Sequence, residues 1–142
     1  MKITLATLSD YATIDALGKL SVMGLVDVLG APQFPVTHPQ LFVCFRVQCR
    51  PIEIGTKHTF TVVLQDPDGG QLLPPIRGGF EVKSSSVPGA PYSHMQLALG
   101  AVGIVFKRPG THSFEIALDD NHAVSIPLHV VQVAAPVKPK AR

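Results

Sequence analysis

The chain has 142 residues, 46% apolar and 15% charged, with a formal net charge of +2. So much apolar sequence with so little charge excludes a disordered body and suffices for one domain with its own core. The 12 glycines and 13 prolines, spread through apolar stretches, exclude long helices and favour short strands joined by turns.

Ile3 and Leu5 open a strand expected to end near Ser9-Asp10, and Tyr11–Leu17 reads as a short helical turn. Leu20–Leu29 reads as one long strand, apolar on both faces apart from Asp27. Pro32, Pro35 and Pro39 make residues 30–40 an extended crossover, with His38-Pro39 a candidate cis bond. Leu41, Val43, Phe45, Val47 and Cys49 share one strand face. The opposite face, Phe42, Cys44, Arg46, Gln48 and Arg50, is apolar only in its first half.

Phe60, Val62 and Leu64 alternate into the turn Asp66-Pro67-Asp68-Gly69-Gly70, and Gln71–Leu73 resume a strand that Pro74-Pro75 interrupts. Residues 83–93 are irregular. Met95, Leu97 and Leu99 lie on the odd phase and Val102, Ile104 and Phe106 on the even one, so a bulge is expected at Gly100-Ala101. The strands around Phe114–Leu118 and Val124–Val130 form a hairpin closed by Asp119-Asp120-Asn121. Pro127, lacking an N–H, predicts a strand paired on one side only at that point.

These elements predict an all-β fold: an antiparallel two-sheet β-sandwich, immunoglobulin-like or C2-like, of about eight strands with the long Pro-rich crossover 30–40. The expected domain is 1–134, followed by a flexible basic tail, 135–142. Lys138, Lys140 and Arg142 lie in that tail; without them 9 basic residues face 10 acidic ones. A nucleic-acid binder carries its basic stripe on the folded surface, so none is expected here. No apolar run reaches the ~20 residues of a membrane-spanning helix, and the N-terminus lacks the pattern of a secretory leader. Cys44 and Cys49, ~16 Å apart along one strand and on opposite faces, cannot pair with each other. The expected location is therefore reducing and cytoplasmic.

Chemistry-bearing residues are sparse. His38, His58, His94, His112, His122 and His129 have no metal-ligand spacing, and no Cys-x-x-Cys is present. The acidic turns supply Asp66, Asp68, Asp119 and Asp120, oxygen donors of the kind calcium takes, but tight turns select the same residues for backbone reasons. There is no nucleophile elbow, and Ser84-Ser85-Ser86 has no base beside it. Cys44 and Cys49, set among apolar residues, read as inert thiols. No catalytic residue and no cofactor is assigned. The surplus is apolar: segments 20–29 and 41–45 have two apolar faces, and the second needs cover, either from segments 30–40 or 83–93 or from another subunit.

Ser9-Asp10-Tyr11-Ala12, Asp15 and Gly18-Lys19-Leu20-Ser21-Val22-Met23-Gly24, followed by a Pro-containing crossover, resemble a family of small uncharacterised bacterial proteins. Asp66–Gly69, Pro109-Gly110 and Ile126-Pro127-Leu128 extend the resemblance over most of residues 1–131. It implies a β-sandwich without an assigned activity and transfers no functional residue. The functional expectation is a non-enzymatic protein acting through a protein partner or homo-oligomer. The alternative is a calcium- or small-ligand-binding module using the acidic turns.

Overall fold

A computed structural model describes residues 1–135. Among the described residues alternating apolar side chains give nine strands: β1 (Lys2–Ile14), β2 (Leu20–Leu25), β3 (Val28–Ala31), β4 (Val36–Cys49), β5 (Lys57–Gln65), β6 (Ile76–Glu81), β7 (Ser93–Phe106), β8 (Gly110–Leu118) and β9 (Asn121–Gln132). A 3-10 turn, Pro51–Glu53, follows β4. One sheet has the order β2-β1-β4-β7 and the other β3-β9-β8-β5-β6. Of the expected tail 135–142, residues 136–142 lie outside the described residues.

The core is the inner faces of both sheets. Leu41, Val43, Phe45 and Val47 of β4 meet Phe60, Val62 and Leu64 of β5 and Phe114 and Ile116 of β8. Phe45 and Phe60 meet edge to face across the sheets, centroids 5.8 Å apart. Each fully buried side chain of this size contributes about 1.5–3 kcal/mol.

Several expectations need correction. The helical turn at Tyr11–Leu17 is absent, because β1 continues in strand conformation to Ile14. The long strand 20–29 is two strands in different sheets. The chain crosses over at Val26-Asp27, where Val26 N–H donates to Leu8 O on one side and Asp27 O accepts His129 N–H on the other. The strand β3 so created runs parallel to β9, so the pairing is not wholly antiparallel. Only 32–35 of the crossover is irregular, and the cis bond is Phe34-Pro35. Gln71–Leu73 makes one bridge, Gln65 to Gln71, and no strand.

β6 has no counterpart in the expected set. Its Gly78-Gly79 conceals it from the apolar pattern, yet Gly78 is required: a Cβ there would lie 2.5 Å from the Phe60 ring. At Pro127 the expected one-sided pairing holds, since β9 pairs there with β8 and meets β3 only from His129 onward.

There is no bulge at Gly100-Ala101. β4 and β7 keep one register from Val36–Phe106 to Cys49–Ser93. The phase change comes at Val102-Gly103, opposite Pro39-Gln40, and both strands make it together. Inward positions pass from Ala101 to Ile104 on β7 and from Leu41 to His38 on β4. Gly103 adopts φ +65°, and Pro39 has no N–H to give the ladder.

The second apolar face of β4 is covered by neither segment named above. β1 pairs with β4 over Lys2–Ser9 and with β2 over Ser9–Ile14. β4 stands between β1 and β7, yet Gln96 of β7 holds the tip of the β1–β2 hairpin. Its Nε2 donates to Gly18 O at 2.9 Å, and its Oε1 accepts Leu20 N–H at 3.1 Å. The hairpin therefore passes over the outer face of β4. Beneath it Cys44 is 0% exposed and Ser9 is equally buried, their side chains 3.7 Å apart.

Candidate functional site

Four strands are sheet edges: β2, β7, β3 and β6. An edge presents unpaired N–H and C=O groups, and soluble proteins guard it with short length, charge or proline. β2 has six residues and β3 four, with Pro32 directly after β3. β6 also has six and carries Arg77 and Glu81. β7 is different: SHMQLALGAVGIVF runs 14 residues without Asp, Glu, Lys, Arg or Pro. Burial, aided by the nearby Arg46, pushes His94 below the ordinary imidazole range, so β7 is uncharged at neutral pH. Among the described residues no backbone hydrogen bond reaches its free side.

The surface beside this edge is apolar. Val102 is 75% exposed on β7, and the hairpin exposes Leu25 at 73%, Met23 at 63% and Tyr11 at 50%. Phe42 joins the two areas. Its ring meets Tyr11 edge to face at 5.6 Å and lies over Gly100. The outer face of the other sheet is polar, with Lys57, Arg77, Glu81, Glu115 and His122.

The structure separates the acidic residues singled out in the sequence. Asp66 Oδ1 accepts N–H from Asp68 and Gly70, closing the turn after β5. The Gly70 N–H is the main cause of an Asp66 pKa below the ordinary carboxylate range. Asp68 pairs with Arg108. Asp119 and Asp120, at φ +50° and +63°, form the two-residue β8–β9 turn at the other end of β5, where Asp119 Oδ1 accepts Thr59 N–H at 2.9 Å. Thr59 to Asp66 is roughly 23 Å of extended strand, so one ion cannot bridge the turns. Among the described residues no three His, Cys, Asp or Glu side chains converge as a metal site.

Two hydrogen-bonded arrays had no sequence signal: the first joins His58 to Asp119, 61 positions away, and the second is brought together by the β8–β9 pairing. In the first, Asp119 Oδ2 meets His58 Nδ1 at 2.6 Å, and His58 Nε2 meets Thr56 Oγ1 at 2.6 Å. The order is that of a catalytic relay, but the Thr56 hydroxyl also lies 2.5 Å from Glu53 O and donates to it. A hydroxyl with its one proton so placed can only accept from Nε2, which leaves no base aimed at a nucleophile. The array instead ties the β8–β9 turn to the start of β5. The Thr59 N–H, then the His58 contact, holds Asp119 below the ordinary carboxylate range.

In the second array Ser125 and Glu115 both meet the same nitrogen of His122, Nε2, and Ser125 also donates to Glu115. A relay needs the carboxylate and the hydroxyl on opposite nitrogens. Burial acts to raise the Glu115 pKa, but hydrogen bonds from Ser125, Ser113 and His122 bring it below the ordinary value. Both thiols are buried and free, and burial pushes their pKa values up, away from nucleophilic thiolate.

These features define an all-β protein of two sheets, the five-stranded one curled like half a barrel, whose distinguishing surface is a strand edge. The chain belongs to DUF6941, a family of unknown function, which it matches over residues 4–131. The matched span runs from β1 into β9 and contains the motifs on which the sequence resemblance rests. No curated protein sequence matches the chain. No helix among the described residues is long and apolar enough to cross a membrane.

Proposed function

We propose that this protein is a non-enzymatic, immunoglobulin-like β-sandwich that self-associates through the free edge of β7. The observation that carries this reading is the uncharged 14-residue edge strand, paired with β4 on one side only, with Val102 and the hairpin residues beside it exposed. Strand addition satisfies the free backbone groups, and the apolar flank contributes burial on contact. A second copy is the natural occupant, because two identical uncharged edges can meet antiparallel about a twofold axis without repulsion. The free thiols of Cys44 and Cys49 support a reducing, cytoplasmic setting, and a bacterial origin accords with the sequence resemblance.

Sedimentation velocity across a range of concentrations tests the reading. The expected result is a reversible dimer that Val102→Lys returns to monomer. A chain that stays monomeric at the highest concentration overturns it, as does an oligomer indifferent to charge on β7.

A further inference from the structure

The 14 residues of β7 include one side chain that titrates, His94. The strand register sets its neighbours. His94 stands opposite Gln48 of β4, and Gln48 stands opposite Lys2 of β1, so the three side chains share one face of the sheet. Arg46, two positions from Gln48, is the diagonal neighbour of His94 on that face. Between the start of β7 and the end of β6, His94 also lines a groove of about 360 Å³ with Cys49, Glu81 and Lys83. Ile14 and Gly18 of the hairpin reach the same groove and carry no charge.

A protonated His94 therefore meets more positive charge than negative. Lys2, Arg46 and Lys83 oppose it, and Glu81 is the one carboxylate among these neighbours. Two other histidines among the described residues form ion pairs, His58 with Asp119 and His122 with Glu115; His94 forms none. A second β7 laid alongside brings no counter-charge, because the strand contains no Asp or Glu. The neutral ring is the form that both surroundings favour.

We propose that His94 makes self-association through β7 pH-dependent: the neutral strand pairs with a second copy, and protonation of the imidazole separates the two. This rests on the β7 interface proposed above. Charge on an edge strand is a common guard against pairing, and β7 acquires it only in acid. Proton binding and association oppose each other, so pairing releases protons and Kd rises as pH falls.

Sedimentation velocity of the full chain at pH about 8 and about 5, either side of the ordinary imidazole range, tests this. The native chain should associate at least tenfold more weakly at the lower pH. In His94→Gln the two values should agree within about twofold. His94→Lys, charged at both, should weaken association at least tenfold at pH about 8, and it decides the matter should acid unfold the chain. Equal native association at both pH values, pH dependence that survives His94→Gln, or native-like association of His94→Lys overturns the proposal. A chain monomeric at every pH and concentration is a separate failure, that of the β7 interface itself.

Discussion

β6 and β7 are both outer strands, one on each sheet, and they meet the hazard of an open edge in opposite ways. β6 is short, carries Arg77 and Glu81, and is fixed from within by Phe60 against Gly78. β7 is more than twice as long, uncharged, and exposes its own Val102 and Val105. The two sheets share one core, so core packing does not explain the difference. Strand edges that resist pairing carry protective residues, and β7 lacks them where β6 has them. That asymmetry is why the proposed interface is placed on β7.

The largest expected effect falls on the guarded side. Gly78→Val drives a side chain into the Phe60 ring and should lower stability by roughly 1–3 kcal/mol, measured by urea unfolding. A change near zero would mean that β6 is loosely attached and the contrast weaker than drawn. On the open side, Val102→Lys should weaken self-association at least tenfold, about 1.4 kcal/mol, with little change in urea midpoint. Arg77→Ala on β6 should leave association unchanged. Equal effects from the two would erase the distinction between the edges.

Much of this contrast was legible in the sequence. The inward faces of β4, β5, β8 and β9 follow from period-two alternation, and Asp119-Asp120 marks its hairpin. β6 was hidden because Gly78 is demanded by Phe60, a partner 18 positions away in the chain. The kink at Gly103 was displaced to Gly100 because alternation within β7 alone does not reveal that β4 changes phase with it at Pro39. The cover over Cys44 was beyond reach for a related reason. It depends on Gln96 holding Gly18 and Leu20, a contact that no local pattern encodes. Likewise, β7 is an edge only once the sheet order is known; its lack of charge was in plain view.

Smaller effects sharpen the picture of the surroundings. Asp119→Ala removes the ties of this partly exposed carboxylate to Thr59 and His58 and should cost about 1 kcal/mol at neutral pH. The folded pKa of Asp119 lies below its unfolded value near 3.9, so its contribution is complete above that value. It is lost as pH falls through the folded pKa, so native and Asp119→Ala unfolding curves should converge in acid. A gap that persists there would assign the loss to turn geometry.

The smallest effect concerns the hairpin. Gln96→Ala should speed alkylation of Cys44 severalfold while leaving Cys49 slow, read by mass spectrometry. Unchanged Cys44 labelling would show that the Gln96 contacts do not hold the cover down.

Amide hydrogen exchange along β7 and β6, compared at low and high protein concentration, tests the central claim most directly. The expected result is protection that rises with concentration at Gly100–Phe106 and stays constant at Ile76–Glu81. Exchange in β7 that is independent of concentration, or protection that rises equally in both strands, would contradict the account.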